Sequence, residues 1–261
     1  MHVAITGASS GIGEAVAREY MKRGARVTLV ARRKELLVEI TKNAADGTTH
    51  LVQADLSDTS AACAWVDAAE ATLGPIDVLV NNAGVQIVKS VPDVDWKDAE
   101  RMLLLDLFTP LRLTQFILPR MIARKSGTIV DVSSMAAIAP TPGMYFYNAA
   151  KGGLAAASES LRSEVKRHGI HVVTVYPGPV TSALEAAGRG AYEESATSRN
   201  VPTGTPDVLA RLIADAVVSK RARVVYPGVY AVARHFPNVT RWFLDAFTPP
   251  LKVTDGERRS P

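Results

Sequence analysis

A glycine-rich turn set directly between a strand and a helix limits what this chain can fold into more than any other feature. Residues 3–6 form a short apolar, β-branched run. Residues 12–22 repeat their apolar positions at helical period and stop before Gly24. Between them the chain reads Thr6-Gly7-Ala8-Ser9-Ser10-Gly11-Ile12-Gly13. So tight a passage needs glycines for curvature, and the helix N-terminus it creates presents unpaired N–H groups and the positive end of a dipole. Such a turn can receive the pyrophosphate of a dinucleotide through Gly7, Ser9, Ser10, Gly11, Ile12 and Gly13. The spacing is G-x-x-x-G-x-G rather than G-x-G-x-x-G. The reading therefore rests on the strand before and the helix after.

The alternation continues to the end of the chain. Strand-like runs are expected at residues 26–31, 49–54, 76–80, 128–132, 170–176 and 222–226. Helical stretches are expected at 35–45, from Asp58 and Thr59 to Leu73, at 98–125 despite Pro110 and Pro119, at 147–168 and at 206–220. Short apolar strands separated by helices predict βαβ units and a parallel sheet covered on both faces. The fold class is α/β: a single doubly wound, Rossmann-type domain with a seven-stranded, mostly parallel sheet over residues 1–228. A length of 261 residues suits one such domain. Residues 181–205 are rich in Ala, Gly, Ser and Glu and follow a strand end. They read as a substrate lid, with a plain surface connection as the alternative.

The end of the second strand selects the cofactor. An enzyme using NAD places an acid there for the ribose hydroxyls. Here Ala31 is followed by Arg32, Arg33 and Lys34, with no carboxylate before Glu35. Arginine can grip a 2′-phosphate through charge-assisted hydrogen bonds, which predicts NADP at Arg32 and Arg33.

Farther on, Tyr147 and Lys151 stand four residues apart, on one face of a helix. A lysine cation beside a phenol favours the phenolate, which suits a proton shuttle. Ser134, at the end of a strand, can hold a substrate oxygen while Tyr147 exchanges its proton.

Taken together and in this order, these motifs resemble the short-chain dehydrogenase/reductase family in its compact branch. The likeness runs from residue 2 to about 228. It includes Thr6 to Gly13, Asp55-Leu56, Asn81-Asn82-Ala83-Gly84, Ser134, Tyr147, Lys151 and Pro177-Gly178-Pro179-Val180. The resemblance implies that Tyr147 is the general acid/base, that Ser134 polarises the carbonyl, and that Lys151 binds the nicotinamide ribose and lowers the tyrosine pKa. It also implies adenine and ribose contacts from Asp55, Leu56, Asn81, Ala83 and Gly84, and nicotinamide contacts from Pro177, Gly178, Val180 and Ser182. By family geometry, Met135, Ala136, Pro140, Met144 and Tyr145 line an apolar substrate pocket.

One position departs from the family. Where an asparagine is usual this chain has Asp106, and Thr109 follows in place of a glycine. A carboxylate near Lys151 would stabilise the ammonium and weaken its pull on the tyrosine proton. Two readings follow: an NADP(H)-dependent oxidoreductase acting on a hydrophobic alcohol or carbonyl, or a catalytically weak NADP-binding regulator or scaffold.

Composition removes other classes. The net charge is +4 and the basic residues are dispersed, which argues against nucleic acid as a partner. The lone Cys63 and five scattered histidines offer no disulfide framework and no metal site. With no leader and no apolar span expected, the protein is placed in the cytoplasm, as a homodimer or homotetramer. Residues 229–247 mix Tyr230, Phe236, Trp242, Phe243 and Phe247 with Arg234, His235 and Arg241. Such a segment fits an extension (229–261) packed on the domain or on a subunit partner, or one in weak peripheral contact with a membrane. Residues 256–261 are expected to fray.

Overall fold

The computed structural model describes residues 1–194 and 201–252. Its seven strands are β1 (His2–Thr6), β2 (Arg26–Ala31), β3 (Thr49–Gln53), β4 (Val78–Asn81), β5 (Gly127–Val132), β6 (Ile170–Pro177) and β7 (Arg223–Tyr226). They form one sheet in the order β3-β2-β1-β4-β5-β6-β7, and every neighbouring pair is parallel. The helices are α1 (Gly11–Lys22), α2 (Lys34–Thr41), α3 (Val66–Leu73), α4 (Trp96–Leu103), α5 (Thr109–Arg124), α6 (Tyr145–Val165), α7 (Ala183–Gly190), α8 (Pro206–Val218), α9 (Val232–His235) and α10 (Pro237–Phe247).

The two-residue period of each strand deals its side chains to two cores. Val3, Ile5, Val27, Leu29, Val130 and Val173 meet Val16 and Tyr20 of α1 and Leu209 and Ile213 of α8 on one face. Ala4, Val30, Leu79, Ile129 and Val172 meet Leu113, Ile117 and Met121 of α5 on the other. Because both faces are covered, the strands read as unbroken apolar runs. Full burial of each aliphatic side chain contributes roughly 1.5–3 kcal/mol. The chain leaves β1 toward β2 on one side and returns through β4 on the other. Such a reversal opens a crevice at the carboxyl ends of the strands, where ligands bind in open α/β sheets.

Two elements differ from the sequence expectation. Residues 58–65 are turns, because the Asp58 carboxylate accepts from both the N–H and the hydroxyl of Ser60; helix begins only at Val66. The long helix starts earlier, at Trp96, where Asp95 caps it by accepting from the Lys97 N–H at 2.7 Å. Between α4 and α5 it also loosens into a π-helical turn, Leu104–Phe108, a form common at functional sites. The stretch Trp96–Arg124 is long and apolar enough to cross a bilayer by length and composition, although the sequence reading expected none. Here Leu113, Ile117 and Met121 pack under the sheet, Phe108, Leu111 and Phe116 are exposed, and the segment carries the buried Asp106.

The C-terminal segment meets the domain first through Tyr230 and Ala233, which pack with Met135, Ala155 and Tyr176. No side chain of α10 is buried against the sheet. The helix is fastened by Arg241 Nη1, which donates to the Pro140 carbonyl at 2.8 Å. After it, Glu193 and Lys252 donate backbone hydrogen bonds to Pro250 and Ala191, and Tyr192 and Leu251 pair in an antiparallel bridge. The segment thus returns to the stretch behind α7. Of the expected lid, 183–190 is helical, and residues 195–200 lie outside the described residues, as does the expected fray at 256–261.

Candidate active site

The carboxyl ends of β1 and β4 are tied together by Thr6. Its hydroxyl donates to the Val80 carbonyl at 3.2 Å and accepts from the N–H groups of Asn82 and Ala83 at 3.0 Å. Gly7 then turns with φ of 66°, and a Cβ there would meet the Ala83 Cα at 2.7 Å. Only glycine permits both the turn and the approach. Gly11 also has a positive φ, 57°. Ser10, before α1, makes no side-chain cap, so its hydroxyl leaves the N–H groups of the first turn unclaimed. Arg33 crosses from the end of β2 and donates to Ser9 Oγ at 3.2 Å and Ser10 Oγ at 3.3 Å. A cationic fork, two hydroxyls and a helix N-terminus therefore share one corner, and this donor set fits the phosphates of a dinucleotide. Asp55 is paired with Arg101 at 2.8 Å, and Leu56 is fastened by its carbonyl, which accepts from the Thr109 hydroxyl.

At the other end, α6 carries Tyr147 and Lys151 one turn apart, both buried. Ser134, after β5, lies beside the tyrosine hydroxyl, whose pKa it helps to lower, and accepts from the Ala136 N–H at 3.1 Å. The Lys151 ammonium donates to the Val132 carbonyl at 3.3 Å and lies 5.9 Å from the Tyr147 ring centroid. Asp106 reaches it from the π-helical turn: Oδ2 is 3.1 Å from Nζ, without the alignment of a hydrogen bond, while Oδ1 accepts from the Val85 N–H at 2.9 Å. Gly84 leaves the room, since a Cβ there would stand 2.6 Å from Asp106 Oδ2.

Burial raises the Tyr147 pKa, Lys151 pulls it down, Asp106 pushes it up and Ser134 lowers it; the net direction is up. The sequence reading expected Lys151 to bring the phenol down. Lys151 does act in that direction, but burial, the largest cause, outweighs it, and Asp106 adds to the rise. Burial alone would lower Lys151, yet Asp106 and Tyr147 hold it above its ordinary value, while burial raises the Asp106 carboxyl.

Over residues 1–192 the sequence matches the family model described as short chain dehydrogenase. The chain belongs to the short-chain dehydrogenase family. A fatty acyl-CoA reductase of Acinetobacter baylyi is 35% identical over 84% of this chain and 74% of its own length. A short-chain dehydrogenase structure from Streptomyces avermitilis superposes with a TM-score of 0.80 at 30% identity, covering 94% of this chain and 96% of its own. A metagenomic short-chain oxidoreductase in complex with NADP does so with a TM-score of 0.71 at 31% identity, covering 86% and 96%.

In this short-chain dehydrogenase one cleft of about 1640 Å³ joins both halves. That exceeds the roughly 300–1,000 Å³ of a pocket for one drug-sized ligand, leaving space for a dinucleotide and a second molecule. It is lined by Gly7, Ser9, Ser10, Gly11, Ile12, Arg32, Arg33, Asp55, Leu56, Ala83 and Gly84. Asp106, Ser134, Met135, Ala136, Met144, Tyr147, Lys151, Pro177, Gly178, Val180 and Ser182 complete the expected set.

Four expected residues lie elsewhere. Asn81 is buried and donates to Asp131 Oδ1 at 2.8 Å and to Thr114 Oγ1 at 3.1 Å, because the strand period turns it under the sheet. Asn82 lines the cleft instead and donates its amide to the Thr6 and Gly7 carbonyls. Gly13 is packed inward, where a Cβ would be 2.2 Å from the Gly7 carbonyl oxygen. Pro140 is held by Arg241 outside the cleft, and Tyr145 points outward with its ring edge-on to Phe146 at 5.1 Å. Sequence reasoning also missed the α10 side chains on the cleft wall. Their helical spacing was visible, but not what they faced. Among the described residues no group of three His, Cys, Asp or Glu side chains could hold a metal.

Proposed function

We propose that this chain is an NADP(H)-dependent oxidoreductase that interconverts a carbonyl and a hydroxyl on a hydrophobic small molecule. The observation that carries the reading is the convergence of Ser134, Tyr147 and Lys151 on the cleft whose far corner holds Arg33 over the glycine turn. When bound, the dinucleotide supplies a hydride to the carbonyl carbon or takes one from the hydroxyl carbon. Ser134 holds the substrate oxygen beside the tyrosine hydroxyl. In reduction Tyr147 gives its proton to that oxygen and regains one from solvent; in oxidation the proton moves the other way. Lys151, fixed by Val132 and Asp106, stabilises the phenolate and offers its ammonium to a ribose hydroxyl.

Arg32 and Arg33 favour a 2′-phosphate by charge, and the relative solved with NADP supports that preference. The apolar walls from Met135, Ala136 and Met144 support a hydrophobic substrate, as does the relative named fatty acyl-CoA reductase.

The Asp106–Lys151 contact favours a second reading, an NADP-binding regulator with a weakened tyrosine. One experiment separates the two. Nicotinamide absorbance is followed with NADPH and NADH against hydrophobic aldehydes and ketones, with Tyr147→Phe as the blank. Turnover with NADPH that the variant loses by about a hundredfold or more supports the enzyme. Tight NADPH binding without turnover across the panel supports the regulator.

A further inference from the structure

The α10 helix carries a stripe that its own fold does not cover. Phe236, Val239, Thr240, Phe243, Leu244 and Phe247 recur at intervals of three, four and seven, which places them on one helical face. All six line the cleft that holds Tyr147 and Ser134. They are exposed: Phe236 to 58%, Val239 to 62% and Phe243 to 47%. The other face is polar, with Arg241 paired to Asp245. A helix with no buried face is nevertheless held in place, by Arg241 on Pro140 and by the backbone bonds and bridge that join residues 250–252 to residues 191–193. Its position is therefore set by tethers at its rims, and its apolar stripe is left for a ligand.

We infer that α10 is the wall of a chain-binding trough and that the substrate is a straight-chain alkyl aldehyde or alcohol. The inference rests on the oxidoreductase reading for its reactive end. Three observations carry it. The stripe is continuous with the catalytic cleft, so an apolar chain can run along it while its oxygen stays at Ser134 and Tyr147. Thr240 is the stripe's only side chain with a polar group, so this wall presents an almost unbroken apolar surface of the kind an alkyl chain buries against. The length also fits. From Pro237 to Phe247 the helix rises about 15 Å at ~1.5 Å per residue. Carbon–carbon bonds of about 1.5 Å at tetrahedral angles advance ~1.25 Å per methylene, so the wall spans about a dozen methylenes.

Chain length is the variable that tests this. kcat/KM is measured with NADPH for straight-chain aldehydes from butanal to tetradecanal, and the matching 1-alkanols are titrated calorimetrically into the protein. Burial of one more methylene should raise kcat/KM and binding by about fourfold, with a plateau near a dozen carbons. Phe243→Ala and Val239→Asp should each flatten the slope in both readouts. Trp242→Ala, on a ring that does not line the cleft, should keep it. A flat series with turnover of the short aldehydes overturns the trough and leaves the oxidoreductase reading standing. A rising binding series without turnover at any length supports the trough and sinks that reading. A slope untouched by both α10 substitutions removes the helix from the site and overturns the inference.

Discussion

Replacing Asp106 with asparagine removes the carboxylate that raises the Tyr147 pKa and tests the proton transfer proposed for it. The carboxylate lies 3.1 Å from Lys151 Nζ, which is 5.9 Å from the Tyr147 ring centroid; laid end to end these place it within about 9 Å of the ring. At an effective dielectric near 20, a unit charge at ~9 Å acts on the phenolate with about 1.8 kcal/mol. Removing it should raise the phenolate fraction at a given pH about twentyfold while Tyr147 is mostly protonated. The rate gain is smaller, because a stronger acid leaves a weaker conjugate base. With proton transfer about half complete in the transition state, the gain is about four- to fivefold. Oxidation and reduction share one equilibrium constant, so both directions must rise together at pH values below the tyrosine pKa.

The assay is kcat/KM against pH for decanal reduction and decanol oxidation at saturating dinucleotide. The alkaline limb of oxidation should move toward acid in Asp106→Asn, because the group whose net shift is upward loses one of the causes raising it. A limb that stays in place, or one that moves toward alkali, would refute the electrostatic argument. A fall in both directions with an unmoved limb would mean that Asp106 matters for placing Lys151 and not for its charge.

Arg33→Ala removes the cationic fork over Ser9 and Ser10, and charge-assisted bonds of ~1.5–3 kcal/mol convert to a tenfold to hundredfold fall in the preference for NADPH over NADH. Steady-state kinetics with the two dinucleotides measures it, and an unchanged ratio places the 2′-phosphate site elsewhere. Gly13→Ala puts a Cβ 2.2 Å from the Gly7 carbonyl oxygen and 2.5 Å from Asn82 Nδ2, and such overpacking costs about 1–3 kcal/mol or more. Its Tm should fall by several degrees, at ~2–4 °C per kcal/mol. Gly152→Ala, inside α6 with nothing within 4 Å of the added carbon, should go the other way and stabilise by about 0.5–1 kcal/mol. Equal melting temperatures for the two variants would contradict the packing at the turn.

Local periodicity made the fold and half of the site legible. Unbroken apolar runs in β1, β2, β4, β5 and β6 and a period near 3.6 in α1, α5 and α6 leave little choice but a parallel sheet with helices on both faces. In such a sheet Gly7, Ser134 and Pro177 must emerge at the same edge. Tyr147 and Lys151 needed only the helix that carries both. What spacing could not settle was which way a residue turns at an element's end. Asn81 and Asn82 are adjacent and chemically alike. The strand's pleat sends the first beneath the sheet to Asp131 and leaves the second to line the cleft.

The sequence by itself determined the order of the elements, the glycine turn and the placing of Tyr147 and Lys151 on one helix face, because each depends on neighbours a few positions away. Tertiary structure decided how Asp106 reaches Lys151, 45 positions along the chain, which the family resemblance had only implied: a π-helical turn carries it to 3.1 Å. It likewise decided that the apolar face of α10 looks onto a cleft and not onto the sheet. Both are contacts between segments far apart in the chain. A carboxylate's charge and a helix's apolar stripe are written locally, but their effect depends on what folding brings within a few ångströms.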